Sequence, residues 1–280
     1  MKRFTFSENY EKTRFMGIIN VSPDSFYETC SSVDEAMILA EKMIKEGAEF
    51  LDVGAESSRP GSKPISDQEE LDKLIPVITL LVKNFDVPIS VDTYKPVVAE
   101  EALKAGAKII NDITGLQKFP EMAEVIARFD AGVVLMHMQG TPLTMQRDPN
   151  YEDVLNEIRE FLSVSIKIAE TAEISPDQIA IDPGIGFGKT KKHNLEILRN
   201  LEIFLKLKKP LLLGVSRKSF IGDILGFPPE ERLEGSLAAT IIGVTKGASI
   251  IRTHDIKATR SAVRVAEAII KGESCDTFIC

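Results

Sequence analysis

The chain has 280 residues, 44% of them hydrophobic, and none of its apolar runs approaches the roughly 20 residues that a membrane-spanning helix needs. Its 42 acidic residues outnumber its 34 Lys and Arg residues, so the net charge of -8 argues against nucleic acid as a partner and requires a local basic cluster for any anionic ligand. The three cysteines form no CxxC pair, which argues against a disulfide framework or a thiolate metal site.

The N-terminal segment, residues 1–10, has basic Lys2 and Arg3 but then goes polar, so it has no apolar centre of the kind found in a secretory signal. We therefore expect a cytoplasmic protein.

Eight short apolar runs, each ending in a polar residue or a glycine, are predicted to be strands. In chain order they are Ile18–Asn20, Phe50–Asp52, Ile89–Asp92, Ile109–Asp112, Val133–His137, Ile179–Asp182, Leu211–Gly214 and Ile250–Arg252. Runs this short and this apolar indicate strands that are buried on both faces, as in a parallel sheet covered by helices.

Between these runs, apolar residues recur at spacings of three and four, which predicts helices that bury one face. The predicted helices are Ser32–Lys45, Ser66–Lys83, Pro96–Lys104, Pro120–Phe129, Tyr151–Thr171, Leu195–Leu207, Glu230–Lys246 and Asp255–Ile270. The alternation predicts an α/β protein with a single (β/α)8 TIM barrel, in one domain over residues 1–280 with its core at about 15–270. A doubly wound open sheet is the alternative.

The loops that follow the strands of such a barrel gather on one face, where an active site is expected. In the first loop, the amide of Asn20 could bind a hard cation, while Pro23 and Phe26 offer an apolar wall. In the second loop, Arg59 lies among hydroxyl residues before a Pro-Gly turn and is suited to an anion. An ordinary solvated turn is the alternative for either loop.

Asp92, Asn111 and Asp182 each end a strand that is otherwise almost wholly apolar. A carboxylate in such a place is costly unless a donor satisfies it. A ligand edge with adjacent N–H groups, such as a 2-amino-4-oxopyrimidine ring, would satisfy two carboxylates and an amide together. Helix capping or pairing with a lysine could explain any one of the three.

The later loops add a glycine-rich segment and a basic cluster. The segment Asp182–Lys189 lacks the spacing of a Walker loop or a Rossmann fingerprint, and its glycines are expected to let the backbone approach a flat ligand. Ser216–Phe220 and Arg252–Asp255 follow the last two strands, and their basic residues beside helix starts predict an anion site. His137 is expected to be a structural histidine at the edge of the core.

Seven segments together resemble the dihydropteroate synthases, a family of pterin-binding barrels. They are Asn20–Phe26, Glu56–Gly61, Asp92, Asn111–Asp112, Asp182–Lys189, Ser216–Phe220 and Arg252–His254, and the resemblance covers about residues 15–270. It implies transfer of the 7,8-dihydropterin-6-ylmethyl group from its diphosphate to 4-aminobenzoate, which yields 7,8-dihydropteroate and pyrophosphate in folate synthesis. It also implies a dissociative mechanism in which pyrophosphate leaves first.

The resemblance implies a role for each matching residue. The pterin would be bound by Asp92, Asn111, Asp182, Lys218 and Arg252, and the catalytic residues would be Lys218, Arg252 and Asp92. The diphosphate would be bound by Asn20, Arg252 and His254, with Asn20 also reaching Mg²⁺. The 4-aminobenzoate would be bound by Pro23, Phe26, Ser58, Arg59, Phe187, Lys218 and Ser219. A homodimer is also implied.

The chain departs from the family pattern in two loops. Ser58 stands where the family has threonine, and Tyr27–Cys30 replace a Ser-Asp-Gly-Gly sequence. Three alternative functions remain open at this point. They are a methyltetrahydrofolate-dependent methyltransferase of the same barrel family, an aldolase that uses Lys218 as a Schiff-base lysine, and a pterin-binding protein without turnover.

Overall fold

The computed structural model describes residues 3–6, 12–21, 30–57, 59 and 61–272. Within these residues, eight parallel strands alternate with helices. The strands are β1 (Arg14–Asn20), β2 (Phe50–Gly54), β3 (Ile89–Asp92), β4 (Ile109–Asp112), β5 (Gly132–Met136), β6 (Ile179–Asp182), β7 (Leu212–Leu213) and β8 (Ile250–Thr253). Each coincides with a predicted apolar run.

The sheet closes into a barrel. Its strands follow the order β6-β5-β4-β3-β2-β1-β8-β7, and a parallel bridge between Ile181 and Leu211 joins the two ends. The predicted (β/α)8 barrel is therefore confirmed, and an open doubly wound sheet is excluded. The register places Asp52 beside Ser90 and brings Asp92 beside Asn111.

Nine α-helices surround the barrel over the part of the chain that the structure describes. They are α1 (Val33–Glu46), α2 (Asp67–Asn84), α3 (Pro96–Lys104), α4 (Glu121–Arg128), α5 (Val154–Thr171), α6 (Lys191–Arg199), α7 (Ser219–Leu225), α8 (Leu233–Thr245) and α9 (Ile256–Lys271). The side chains of Ser32 and Ser66 cap the first two of these helices by accepting a hydrogen bond from a backbone N–H three residues on.

One helical prediction was wrong, and one helix was missed. The sixth predicted helix, Leu195–Leu207, is interrupted at Asn200, so that α6 starts earlier at its Thr190 cap and Leu201–Leu207 forms a 3-10 helix. The short helix α7 was not predicted, because seven residues do not show a helical period in the sequence.

The end of the barrel opposite the strand tips is filled by aromatic side chains. Phe4 and Phe6, from the segment before β1, pack edge to face with ring centroids 5.0 Å apart and lie against Phe50. They belong to one buried cluster with Met16, at the base of the strands. The barrel is therefore a packed core that is closed at this end. None of the described helices is both long and apolar enough to cross a membrane.

Candidate active site

A cavity of about 120 Å³ that opens to solvent lies at the carboxyl ends of the strands. Residues from all parts of the chain line it: Ile18, Asn20, Gly54, Glu56, Ser57, Arg59, Asp92, Met145, Ile185, Gly186, Phe187, Gly214, Ser216, Arg217, Lys218, Ser219, Arg252 and His254. This is the face on which enzymes with this fold hold their substrates.

Two carboxylates hold the guanidinium of Arg252 at one side of the cavity. Its Nε donates to Asp52 Oδ2 at 2.6 Å, and its Nη2 donates to Asp92 Oδ2 at 2.9 Å. Burial lowers the pKa of Arg252, but Asp52 and Asp92 outweigh that effect and the pKa ends above its ordinary value. Arg252 is therefore a permanent cation in a fixed orientation.

Asp92 and Asn111 lie side by side, as the strand register requires. Burial raises the pKa of Asp92 to about 7, although the Arg252 guanidinium opposes the shift. Asn111 is buried, and its Nδ2 donates to Asp52 Oδ2 at 3.1 Å, while its carbonyl oxygen has no hydrogen-bond partner among the described residues. A buried acceptor left unpaired is costly, so this oxygen is a candidate ligand contact.

Asp182 and Lys218 form a second pair of opposite charges. Asp182 is buried at the end of β6 and accepts a hydrogen bond from the Gly184 N–H at 2.7 Å. Burial raises the pKa of Asp182, and Lys218 opposes the shift. Burial also lowers the pKa of Lys218 to about 8, with Asp182 opposing it. The Lys218 ammonium donates to the Ile185 carbonyl and lies 4.8 Å from the centre of the Phe187 ring.

The basic cluster predicted in the last two loops divides into three different roles. Arg217 has its side chain buried and forms a two-point salt bridge with Asp255, at 2.9 Å for both bonds. Burial lowers the pKa of His254 to about 3, so that this imidazole is neutral at pH 7, and its Nδ1 lies 3.0 Å from Ser216 Oγ. The cations directed at a ligand are thus Lys218 and Arg252.

Each loop takes the number of the strand that it follows, so Ser216, Arg217 and Lys218 lie in loop seven, after β7. The backbone explains why these adjacent side chains have different roles. Arg217 has a φ of 54°, in the left-handed region that few non-glycine residues adopt. This conformation sends its side chain into the protein, where it also donates to the carbonyls of Pro229 and Glu230. Ser216 and Lys218, on either side of it, both line the cavity.

Loop two is anchored by a buried ion pair. Glu56 accepts hydrogen bonds from Lys95 Nζ at 2.6 Å and from Tyr94 Oη at 2.7 Å. Lys95 also lies 2.7 Å from a carboxylate oxygen of Glu70, a fully buried residue of α2. Arg59 lines the cavity three residues after Glu56, so this anchor fixes the start of the loop that carries it.

The glycines of loop six do not all have the expected role. A Cβ on Gly184 would lie 1.9 Å from the His137 carbonyl oxygen, and one on Gly188 would lie 2.4 Å from that of Gln139. These two glycines allow loop six to pack against loop five, which contradicts the prediction that they serve a flat ligand. His137 is buried with its Nδ1 at 2.9 Å from Lys189 Nζ, which fits the predicted structural role.

The cavity brings together most of the predicted site residues. Those that line it are Asn20, Arg59, Asp92, Phe187, Lys218, Ser219, Arg252 and His254. Asn111 and Asp182 are buried next to them. Pro23, Phe26, Ser58 and the divergent segment 27–29 lie outside the described residues, as do Cys275 and Cys280.

Sequence reasoning missed Asp52 and Met145 as members of the site or its support, and it placed Ser216 in the predicted anion-binding segment without a role of its own. Asp52 carries the same signal as Asp92 and Asp182, since it follows an apolar run at a strand end, and it could have been found by that rule. Met145 lies in a long loop with no comparable pattern.

Comparison with known proteins gives one consistent result. Residues 16–254 match the family described as pterin binding enzyme. The dihydropteroate synthase of Bacillus subtilis is 46% identical over 262 residues, which cover 93% of this chain and 90% of that protein. Among solved structures, the Yersinia pestis dihydropteroate synthase in complex with a sulfonamide drug has a TM-score of 0.92 and 41% identity, covering 97% of this chain and 99% of that one. The Xanthomonas albilineans enzyme with 4-aminobenzoic acid has a TM-score of 0.86 and 41% identity, covering 93% and 94%.

Proposed function

The chain belongs to the pterin-binding enzyme family, and we propose that it catalyses the dihydropteroate synthase reaction of its relatives. The bond between the pterin methylene carbon and the diphosphate oxygen breaks, a bond from that carbon to the nitrogen of 4-aminobenzoate forms, and the amine loses a proton. The observation that carries this function is one cluster of hydrogen-bonding groups: Asp92, Lys218 and Arg252 line the cavity, and Asn111 and Asp182 are buried next to them.

We propose that this set binds the pterin ring. Carboxylates accept from N–H groups and an ammonium donates to a carbonyl, so the acidic groups match the amino-pyrimidine edge and Lys218 matches the oxo group. Asn111 has an unsatisfied buried carbonyl, which a ring N–H would satisfy. The guanidinium of Arg252 is held in a fixed plane, which suits it to stacking on the ring.

The diphosphate is proposed to lie against Asn20, Arg252 and His254, all of which line the cavity. Because His254 is neutral, it serves as a hydrogen-bonding group, and Arg252 supplies the positive charge. Charge grows on the diphosphate oxygens as the carbon–oxygen bond breaks, and a cation already in place stabilises it. No covalent nucleophile is needed.

Mg²⁺ fits this arrangement as a companion of the diphosphate. The amide oxygen of Asn20 is a donor of the type that Mg²⁺ binds, and the described residues hold no group of three or more acidic, His or Cys side chains that could form a metal cage. Mg²⁺ often keeps several waters and takes one or two protein oxygens plus substrate phosphates. We propose Asn20 as its protein contact, where the ion would neutralise charge on the leaving group.

The 4-aminobenzoate is proposed to occupy the loop side of the cavity, near Arg59, Phe187, Lys218 and Ser219. Phe187 provides an apolar face and Arg59 provides a cation for the carboxylate. Pro23, Phe26 and Ser58 are proposed to complete this side. The arylamine is a weak base and is neutral at physiological pH, so it can attack without a strong general base.

Pyrophosphate release tests the proposal. The purified chain is mixed with dihydropterin diphosphate, 4-aminobenzoate and Mg²⁺, and pyrophosphate and dihydropteroate are both measured. Formation of both at equal rates, dependent on 4-aminobenzoate, is expected. Tight pterin binding without pyrophosphate release would contradict the synthase function and favour a binding protein, while methyl transfer from methyltetrahydrofolate would favour the alternative enzyme.

We also propose that the chain forms a homodimer in the cytoplasm. Apolar side chains are exposed on α7, just after it, and on the adjacent helix α8, namely Ile224, Leu225, Phe227 and Ile242. A second copy of the chain would cover them. Light scattering after size exclusion should give twice the mass of one chain, and Phe227→Glu should weaken the dimer.

The charged diphosphate substrate does not cross membranes. We therefore propose that the enzyme works in the compartment in which that substrate is made, the cytoplasm.

A further inference from the structure

One carboxylate lies behind the residues that line the cavity. Asp52, on β2, is completely buried, in register with Ile18 on one side and Ser90 on the other. It accepts three hydrogen bonds: from Ser90 Oγ at 2.5 Å, from Asn111 Nδ2 at 3.1 Å and from Arg252 Nε at 2.6 Å. Two of these donors belong to the proposed pterin site, while Asp52 itself does not line the cavity.

The bond to Asn111 determines which way that amide faces. A carboxylate paired with an arginine is ionised and can only accept hydrogen bonds, so Asn111 must turn its NH₂ group toward Asp52. Its carbonyl oxygen then remains, buried and without a partner among the described residues. At this point the pocket therefore presents an acceptor, and a ligand must supply an N–H group.

The hydrogen bond between Arg252 and Asp52 likewise fixes the orientation of the guanidinium. The Arg252 guanidinium uses Nε for Asp52 and Nη2 for Asp92, so two carboxylates on neighbouring strands hold its plane. Without Asp52, Arg252 would keep a contact at one end only and could rotate. Asp92 would then lose the fixed cation that opposes the burial of its charge.

We propose that Asp52 is a positioning residue that sets the hydrogen-bonding polarity of the pterin pocket, by holding the Asn111 amide with its carbonyl left for the ligand and the Arg252 guanidinium across Asp92. This inference rests on the proposed function. It assigns to the pocket a preference for ring systems that carry an N–H group opposite Asn111. A ring with an unprotonated nitrogen at that position would place one hydrogen-bond acceptor against another, the Asn111 carbonyl oxygen, and is therefore bound weakly.

The first test is Asp52→Asn, which keeps the shape of the side chain and removes its charge. The KM for dihydropterin diphosphate and the dissociation constant for the same ligand, measured by calorimetry without 4-aminobenzoate, are each expected to rise about 10- to 100-fold, by analogy with the loss of a hydrogen-bond partner that orients a metal ligand. The KM for 4-aminobenzoate is expected to change less than about twofold, because the three residues that donate hydrogen bonds to Asp52, namely Ser90, Asn111 and Arg252, all lie within strands. Ser90→Ala is the matched control: it removes one bond from Asp52 but leaves Asn111 and Arg252 held, and its effect should be below about fivefold.

A rescue variant separates polarity from simple structural support. In Asp52→Asn combined with Asn111→Asp, the donor and acceptor of the buried pair are exchanged, and a carboxylate oxygen still faces the ligand as an acceptor. Pterin affinity should recover at least about tenfold over Asp52→Asn alone. This variant keeps the total charge of the cluster, so it also serves if the single variant does not fold.

The outcomes distinguish this inference from the proposed function. If the unaltered enzyme binds dihydropterin diphosphate but releases no pyrophosphate, the proposed function fails, and the binding constants of the variants still decide the role of Asp52. If the unaltered enzyme is active and folded Asp52→Asn binds the pterin as before, the positioning role is wrong. Equal losses for the pterin and for 4-aminobenzoate, with no recovery in the double variant, would also overturn it.

Discussion

The cavity has two walls that are held in place by different means. The strand-end wall consists of Asp92, Asn111, Asp182 and Arg252, which lie within strands. Three of these residues, Asp92, Asn111 and Arg252, are joined through Asp52 by direct side-chain hydrogen bonds. The loop wall consists of Arg59, Phe187, Lys218, Ser219 and His254, which follow strand ends and line the cavity.

The loop wall is supported by two ion pairs, each with one member, Glu56 or Arg217, at the edge of the cavity. The Glu56–Lys95 pair holds loop two, and the Arg217–Asp255 pair joins loops seven and eight. The difference indicates that the strand-end wall is ordered by the register of the sheet, whereas loops two, seven and eight are held by buried ion pairs. Variants that remove one kind of support should therefore affect one substrate more than the other.

The largest effect is expected for Lys218→Ala, because Lys218 stands between the two walls. Its ammonium lies beside Asp182 and over the Phe187 ring. We expect kcat/KM to fall by about 100- to 1,000-fold, as for other losses of a group that stabilises charge in a reaction. The fold should persist, because burial already disfavours the Lys218 ammonium and lowers its pKa to about 8. Pyrophosphate release and thermal unfolding measure the two effects, and an unchanged rate would show that Lys218 has no catalytic role.

The next largest effect is expected for Arg217→Met, which removes one anchor of the loop wall. Loss of one partner from a buried salt bridge costs about 3–5 kcal/mol of unfolding free energy, because the other charge stays buried. Arg217 is buried and Asp255 largely so. Lys218 and His254 flank this pair, so turnover should fall as well. Chemical denaturation gives the stability, and the double variant with Asp255→Leu should recover part of it; no recovery would argue against the pair.

The pH dependence of kcat/KM tests one titrating group on each wall: Asp92 on the strand-end wall and Lys218 on the loop wall. Asp92 must be ionised to pair with Arg252 and accept hydrogen bonds with both oxygens, and burial raises its pKa to about 7, so kcat/KM for dihydropterin diphosphate should fall about tenfold per unit below that pH. Lys218 must be protonated, and its pKa of about 8 gives a second decline above that pH. The profile should be a narrow bell. In Asp92→Asn, the decline of kcat/KM at low pH should disappear, while the decline at high pH remains. If the decline at low pH persists unchanged, another group causes it.

The smallest effect is expected for Glu56→Gln, which weakens the anchor of loop two while leaving its shape. The KM for 4-aminobenzoate should rise about fivefold, corresponding to roughly 1 kcal/mol, because Arg59 follows Glu56 in the same loop. The KM for dihydropterin diphosphate should stay unchanged. Steady-state kinetics with each substrate varied in turn measure this, and an equal rise in both would mean that the two walls are not supported independently.

The strand-end wall was largely predictable from the sequence. Its residues follow apolar runs whose burial is readable locally, and parallel strands bring their ends to one face. Asp52 has the same signal, but its role depends on the register that places it between Ser90 and Ile18. The register of neighbouring strands cannot be read from a single sequence.

The loop wall was predicted less well, because its geometry depends on contacts between distant segments. Arg217 and Lys218 are adjacent and equally basic in the sequence, yet a left-handed backbone sends only one of them into a salt bridge. Gly184 and Gly188 serve contacts with loop five that have no local signature. The neutral state of His254 follows from burial, which composition does not reveal.

The rings of Phe4, Phe6 and Phe50 close the base of the barrel and so limit how substrates reach the active site. Because the barrel is closed at its base, both substrates enter and both products leave through the opening at the carboxyl ends of the strands. In the proposed placement the pterin lies deeper than 4-aminobenzoate, so we expect the pterin diphosphate to bind first. We also expect a molecule bound at the loop side to slow the release of a bound pterin.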